Sequence, residues 1–478
     1  MGKVKVIGLY SSEICSYIWS MLIDSSFLLP FQSWLETHFP GSRLLVVGGS
    51  VRDALRGHPS KDLDLEIVGA TPEAIAATIP WPQQQVGKSY GLLLVQFQEH
   101  GWLEVSVEPG SYADWESLCR RRDFTCNAIA WDVLEAALID PLGGQRDILA
   151  GVLREAGPTS IQADPLRIWR AAQFCARFDW QVDSALRAAI QAAVPSLAGL
   201  AQERVTREWE KLLVMPDKPG QAVQLLDDWG VILESYPELF ALHECPQEAQ
   251  FHPEGDVWIH TLMVLDQAAR LGRERGFSQV ERLQLGLAAL LHDLGKPATT
   301  RRESGRVTAH GHELAGVKPA RHWFDRHSFG EPVALAVLDC VAKHMRPMQL
   351  TREILSGKMS PAQQLNALRR LIRDLEAVEW PVFLTLCEAD QRGRALPQEE
   401  YLPAQVFDGI LREHPALLQT ARTDLLRGRD LLALGVEPGR RMGQWLERVE
   451  RARDAGEVAT HQEALDWVRE RLASAHPE

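Results

Sequence analysis

Two carboxylates one residue apart, Asp62 and Asp64 in the run KDLDLEIVG, are the first residues of this 478-residue chain that could do chemistry. Side chains on a strand alternate with period two, so both would point to one face. Neighbouring anions repel unless hard divalent cations such as Mg²⁺ neutralise them, and those cations can also carry a triphosphate. That is the logic of two-metal phosphoryl transfer: one ion lowers the pKa of an attacking hydroxyl, the other steadies a leaving pyrophosphate. Just upstream, GGSVRD offers Gly48 and Gly49, where backbone can approach phosphate oxygens, and Arg52, whose guanidinium is a fork for them. Arg120, Arg121 and Arg122 open RRRDFTCNAIA. Beside an acidic strand they suit a polyphosphate, although such a run can equally be a solvated basic face.

A second constellation lies between His260 and Asp390, in WIHTLMVL, LLHDLGKP, AHGHELAG, VAKHM and CEADQRGR. Burying imidazoles and carboxylates on apolar helices is costly unless a ligand satisfies them, so these residues are expected to converge on a metal. Mixed nitrogen and oxygen donors suit Mn, Fe, Co or Ni better than Mg²⁺. Such a centre could activate water for hydrolysis of a phosphomonoester or cyclic phosphodiester, with Lys296 near the phosphate. His312 and His344 are second-rank candidates.

The elements that must hold these groups follow from periodicity. RLLVVGG from Arg43 reads as a buried strand ending in a glycine turn, VRDALRG as a helix closed by Gly57, and DLDLEIVG, GLLLVQF and WLEVSVE as further strands. Beyond Asp164 apolar residues recur at three-four spacing almost to the end, which predicts helices, with joints near Pro216, Pro219, Gly220 and from Cys245 to Gly255. The expected division is an extension over 1–42, a head over 43–155, a helical neck over 156–250, a metal domain over 251–400 and a helical tail over 401–478. A net charge of −13 excludes a protein that coats nucleic acid indiscriminately, so any RNA contact must be local. Arg167, Arg170, Arg177, Arg204 and Arg207 in the neck are the candidates. Most of the 15 tryptophans sit at core periodicity and are expected inside. Cys15, Cys119, Cys126, Cys175, Cys245, Cys340 and Cys387 form no CxxC pair, which points to a reducing cytoplasm. Ser11, Ser12, Glu13 and Asp24 interrupt the N-terminal stretch, so neither a signal peptide nor a membrane span is expected, and Met21 is a possible alternative start.

The order GGSVRD, KDLDLEI, RRDFTCNAIA, DPLGGQRDI, DPLRIWRAAQFCARF and ERVTREWEKLL resembles the bacterial class II CCA-adding enzymes and poly(A) polymerases, from about Arg43 to about Val468. The resemblance implies an α+β chain: a small mixed α/β, polymerase-β-like nucleotidyltransferase head, an all-α body, an HD domain and a helical tail. It implies addition of C and A to the tRNA 3′ end from CTP and ATP without a template, with Mg²⁺, and neither DNA nor membrane as partner. By that resemblance Asp62 and Asp64 hold the catalytic metals, and Arg121, Arg122, Asp123 and Asn127 bind ribose and triphosphate, where Gly49 and Arg52 would join them. Asp164 and Arg167, with Arg170 beside them, would read the base. A carboxylate accepts from the exocyclic amine shared by cytosine and adenine, and a guanidinium donates to ring acceptors. The residues themselves also predict Asp164 as a helix cap with Pro165 in the first helical position. The pattern H…HD…D resembles the HD phosphohydrolases and implies His260, His292, Asp293 and Asp390 as ligands of a transition metal or Mg²⁺, with phosphatase and 2′,3′-cyclic phosphodiesterase activity. The tail segment with Arg440 and Arg441 resembles the tRNA-contacting end of the same family.

Two departures stand out. Ala163 replaces the acidic residue usual before Asp164, and the segment EVSVEPGSYADWESLC before the arginines is short and lacks an arginine. In the resembled family a shortened loop goes with adding only the two cytidines, so a CC-adding enzyme is an alternative. Glu104, ahead of Glu108, could supply a third metal-side carboxylate. An HD phosphohydrolase whose head only binds substrate, and a non-catalytic RNA-binding module, are the rival readings. The intact Asp62, Asp64, Arg121 to Asp123 and Asn127 disfavour both.

Overall fold

The computed structural model describes residues 27–58, 63–86, 91–97, 101–303, 305–397, 400–420 and 424–474. Asp62 and the interrupted N-terminal stretch with Met21 lie outside the described residues. Contacts divide the chain into two compact units, Met1–Arg204 with Leu225–Ser235, and Val205–Gln224 with Tyr236–Glu478.

The first unit is built on a mixed sheet of β1 (Arg43–Val47), β2 (Asp64–Val68), β3 (Gln83–Val86), β4 (Leu92–Gln96), β5 (Trp102–Glu108), β6 (Ala130–Asp132) and β7 (Ala137–Ile139). Its order is β3-β4-β5-β2-β1-β6-β7. Central β1 pairs antiparallel with β2 and β6, and β2 pairs parallel with β5. Period-two alternation buries Leu65, Ile67, Leu103, Val105 and Val107 on one face, leaving Asp64, Glu66, Glu104, Ser106 and Glu108 on the other.

Helix α1 (Gly48–Leu55) starts directly at the end of β1, three residues before the expected VRDALRG, because Gly48 and Gly49 form its first turn rather than a separate loop. A longer helix, α2 (Arg167–Phe178), follows the short helix Ser160–Ala163. Asp164 therefore does not cap α2 as the sequence suggests. It terminates the preceding short helix, and its Oδ1 accepts from Leu166 N at 3.4 Å, so the chain turns through Pro165 and Leu166 before α2 begins.

The second unit is helical. Helix α3 (Val257–Glu274) packs on α4 (Gln279–Leu291) and on α6 (Trp380–Arg392), and α4 packs on α5 (Glu331–Lys343) as well as α6. Asp256 caps α3 through Ile259 N, and Ser278 with Glu281 forms a capping box on α4. The tail closes a small core of its own around Leu431, Trp445, Val449 and Val468. Trp169, Trp209, Trp229 and Trp323 are fully buried, as core periodicity predicts. The six described cysteines are buried and free. Among the described residues no helix is long and apolar enough to cross a membrane.

Two candidate metal-dependent sites

In the first unit the parallel register sets Asp64 directly beside Glu104, Glu66 beside Ser106 and Val68 beside Glu108. The acidic face is partly neutralised by the basic run. Arg122 pairs with Glu66, Arg121 Nη2 lies 2.7 Å from Glu108, and Arg120 lies 2.8 Å from Glu116. Among the described residues Asp64 and Glu104, adjacent on the sheet, are in no ion pair.

Asp64 sits over the start of α1. Its carboxylate accepts from the backbone N–H groups of Gly49 and Ser50, and its own N–H donates to Ser50 Oγ at 2.9 Å. Packing around its base raises its carboxyl above the ordinary range in spite of those bonds and the nearby Arg52 guanidinium. The approach requires glycine at position 48: its φ is +65°, and a Cβ there would lie 3.3 Å from Asp64 Oδ2.

Arg52 does not present an open fork. It is buried, its guanidinium makes paired 2.8 Å bonds to Asp53 and a third 2.8 Å bond to Asn127 Oδ1, and it stacks between Phe174 and Phe178. Asn127 Nδ2 donates to Asp123 Oδ1 at 2.9 Å, and Arg170 Nε donates to Asp123 Oδ2 at 2.9 Å. Burial alone would raise Asp123; Arg170 and Asn127 outweigh it and hold the carboxyl low. Arg52, Asp123, Asn127 and Arg170 thus form one continuous network across α1, the RRDFT turn and α2. Arg167 donates to the carbonyls of Arg122 and Arg121, each at 2.9 Å, and so positions the basic run. Asp164 Oδ2 accepts from Arg204 at 2.8 Å.

In the second unit the helices deliver His260 from α3, His292 and Asp293 from the end of α4, His344 from the end of α5 and Asp390 from α6, with His312 following a two-stranded hairpin, Arg301–Glu303 with Arg306–Thr308. All are buried. His292 Nδ1 faces Ala289 O at 2.9 Å, His312 Nδ1 faces Ala309 O at 2.7 Å, and His344 Nδ1 faces Val341 O at 2.9 Å. A carbonyl oxygen only accepts, so each Nδ1 carries a proton and each Nε2 is the ring atom left to meet a ligand. Two Nε2 atoms face carboxylate oxygens: His292 Nε2 lies 3.1 Å from Asp293 Oδ2, and His260 Nε2 lies 3.1 Å from Asp390 Oδ1. His292 Nε2 and Asp293 Oδ1 are buried without a hydrogen-bond partner. Imidazole nitrogens and carboxylates converging in a buried interior are what a cation would satisfy, and the donor set fits a transition metal.

Burial opposes the His292 charge, yet the adjacent Asp293 outweighs it and holds the imidazole above its ordinary range. Burial opposes the Asp293 charge, yet His292 and Lys296, whose Nζ is 2.6 Å from Oδ2, hold its carboxyl well below the usual range. Burial likewise opposes Asp390, and Arg394 and His260 outweigh it. Burial, with His292 and His312 adding to it, pushes His344 down to about 3.

Family models match three stretches: the Poly A polymerase head domain over 44–154, the probable RNA and SrmB-binding site of polymerase A over 179–242, and the HD domain over 257–380. The multifunctional CCA protein of Stenotrophomonas maltophilia (strain K279a) is 34% identical over 399 residues, 80% of this chain and 93% of the relative. That of Neisseria meningitidis serogroup B (strain ATCC BAA-335 / MC58) is 35% identical over 365 residues, 73% of this chain and 82% of the relative. The chain belongs to the multifunctional CCA protein family. Solved structures share its fold: the Bacillus stearothermophilus CCA-adding enzyme in complex with CTP has a TM-score of 0.63 at 23% identity, covering 94% of this chain and 98% of that one. The Thermotoga maritima CCA-adding enzyme complexed with tRNA has a TM-score of 0.58 at 19% identity, covering 97% and 98%.

One polar group that sequence reasoning missed in this family member is Glu254. Its Oε1 lies 2.9 Å from Nδ1 of His260 and 2.9 Å from Nδ1 of His252, and Oε2 accepts from Ala395 N at 3.3 Å. The segment reads as a joint because Pro253 and Gly255 flank it. The available signal was an acidic residue three positions ahead of a helix whose first turn carries a candidate metal ligand.

Proposed function

We propose that this chain extends the tRNA 3′ end from CTP and ATP at the head and hydrolyses phosphate esters at the HD centre. The observation that carries the transferase reading is the Asp64–Glu104 pair, side by side on the sheet and, among the described residues, without an ion pair, while arginines neutralise Glu66 and Glu108. Mg²⁺ held there by Asp64 and Glu104, with Asp62 from the preceding segment, would supply Lewis-acid activation of the RNA 3′-hydroxyl and charge for the leaving pyrophosphate. The chain's own groups do the rest. Gly48 and Gly49 admit phosphate oxygens to the start of α1. Arg121, exposed and paired with Glu108, and Arg122 are the guanidiniums a polyphosphate can recruit. The Arg52–Asn127–Asp123–Arg170 network fixes the wall against which ribose and triphosphate bind. Asp164 and Arg167 read the base edge, and Arg440 and Arg441, exposed at the start of the helix Arg440–Asp454, meet the tRNA body. The buried free cysteines support a cytoplasmic setting.

At the HD centre His260, His292, Asp293 and Asp390 would hold a transition metal that activates water. Lys296, bonded to Gln247 Oε1 at 2.8 Å, supplies a cation beside the ligands for the substrate phosphate.

The test is incubation of the purified protein with labelled CTP or ATP, Mg²⁺ and tRNAs lacking CCA, CA or A. Incorporation of C, C and A is expected. β5 reaches the helix Trp115–Cys119 through residues 109–114 alone, and failure to add A to a tRNA ending in CC would restrict the reaction to the two cytidines. Asp64→Ala abolishes incorporation and His292→Ala abolishes hydrolysis of a 2′,3′-cyclic nucleotide; activity surviving either change removes that assignment.

A further inference from the structure

Three guanidiniums crowd one carboxylate where the end of α1 meets the end of α2. Asp53 takes the paired 2.8 Å bonds of Arg52, while Arg56 Nη1 and Arg177 Nη2 stand off at 3.7 and 3.9 Å. Among the described residues Asp53 is the only carboxylate that Arg56 or Arg177 approaches. All three cations also share one aromatic ring: Arg52, Arg56 and Arg177 lie 5.0, 3.8 and 4.9 Å from the centre of Phe178. Contact with a ring face fixes a guanidinium without using its N–H donors, which stay at the edge of the plane. Arg52 is sealed in, whereas Arg56 and Arg177 keep 22% and 32% of their side chains exposed.

The positive charge here exceeds what the protein supplies to balance it. Asp53 cancels one of three cations. Arg56 caps α1 and Arg177 lies in the last turn of α2, so the carbonyl ends of the two helices offset about half a charge each. About one positive charge is left over, the charge that a single phosphodiester neutralises. Burial lowers both Arg56 and Arg177 from their ordinary range, and Asp53 works against that while the neighbouring Arg52 adds to it. Arg56 follows Gly49 by seven residues, which is about 10 Å along a helix. The group that fits here is therefore not the phosphate that reacts beside Asp64.

We propose that Arg56 and Arg177 form a phosphate-binding site at the joined ends of α1 and α2. A phosphodiester of the RNA strand being extended and the phosphate of a free nucleotide share the chemistry that two forked guanidiniums recognise. The inference rests on the reading of the head as an RNA-extending site and adds to it a contact away from the reacting atoms.

Binding of a tRNA lacking CCA to the full chain is followed by fluorescence anisotropy over a KCl series, without nucleotide or Mg²⁺, so that catalysis does not enter. CTP binding is measured separately by equilibrium dialysis with Mg²⁺. Arg56→Gln and Arg177→Gln should each weaken tRNA binding on the order of tenfold. Each should also reduce the slope of log affinity against log salt by about 0.7–1, with CTP binding unchanged and with Arg56→Lys recovering the slope. Weaker CTP binding in both glutamine variants at an unchanged salt slope assigns the site to a nucleotide phosphate instead. Wild-type tRNA affinity, salt slope and CTP binding in both variants overturn the site and leave the cluster as a tether between α1 and α2. Arg56→Met, whose unbranched chain keeps the packing on Phe178, takes the place of Arg56→Gln if that variant fails to fold. A wild-type chain that binds no tRNA overturns the RNA-extending reading itself, and the CTP measurement then decides the phosphate site alone.

Discussion

Replacing Glu254 by glutamine perturbs the HD centre without removing a ligand. One carboxylate oxygen faces two imidazole Nδ1 atoms at 2.9 Å, and the other holds Ala395 N just beyond Asp390. Both imidazoles can donate to a carboxylate. Glutamine keeps one acceptor oxygen and places an NH₂ donor where the other was, so one N–H loses its partner and the negative charge is gone. His260 is then free to carry its proton on Nε2, the atom that faces Asp390 and Asp293. Loss of such a carboxylate behind a metal-binding histidine weakens binding about 10–100-fold, which is about 1.4–2.7 kcal/mol. Calorimetric titration of the metal-stripped chain with Mn²⁺ reads this directly, with hydrolysis of p-nitrophenyl phosphate followed against metal concentration. Glu254→Gln should need more metal for half-maximal activity while approaching the wild-type maximum at saturation, and Glu254→Asp should recover part of the affinity. If Glu254→Gln binds Mn²⁺ as tightly as wild type, orientation of His260 by Glu254 is refuted.

At the head, Glu104→Gln should lower CTP incorporation by on the order of 10²-fold, and Glu108→Gln, which only releases Arg121, by less than about threefold; the reverse ranking in single-turnover assays would reassign the second carboxylate. Asp123→Ala severs the network that joins the RRDFT turn to α2, and should cost about 2–4 kcal/mol of head stability, the upper range for a broken buried pair being reduced because Arg170 is one-third exposed. Urea unfolding followed by hydrogen exchange of head amides checks it, and a loss under about 1 kcal/mol would count against the network. Asp266, on α3, is raised to about 6 by burial, which the Gly220 N–H bond at 2.7 Å only partly offsets. Its folded pKa lies above the unfolded value of about 3.9, so its protonated form favours the fold, and stability is lost as pH rises from about 4 to about 6. Asp266→Asn should remove that slope and add about 1–2 kcal/mol at neutral pH. Thermal melts of the two proteins across this range test it, and parallel curves would show that the carboxylate is not buried in solution.

Local periodicity made the secondary structure legible, and pairing decided what was not. The alternation in DLDLEIVG and WLEVSVE was enough to place Asp64 and Glu104 each on one face of a strand. Only the parallel register of β2 with β5 shows that those faces coincide, and that register depends on sheet order, which no local pattern encodes. The arginine run shows the same limit. Read alone, Arg120 to Arg122 were either a polyphosphate clamp or a solvated face, and the structure adds a third state in which each guanidinium first meets a carboxylate, two of them on the catalytic sheet. Arg52 read as an open fork because its spacing from Gly49 suits phosphate; the aromatic rings of α2, remote in sequence, enclose it. At the HD centre the histidines and aspartates were identifiable by type, since polar groups on apolar helices demand a partner. Their arrangement was not, because it depends on which oxygen of Asp293 faces which ring: Oδ2 faces His292 at 3.1 Å and Oδ1 faces His312 at 3.4 Å. That information resides in side-chain orientation, set here by three Nδ1 bonds to backbone carbonyls, and backbone carbonyls carry no residue identity for a sequence to display. A buried polar cluster is therefore detectable from sequence as a demand for ligand, whereas the atoms it turns toward that ligand follow only from how the side chains are held.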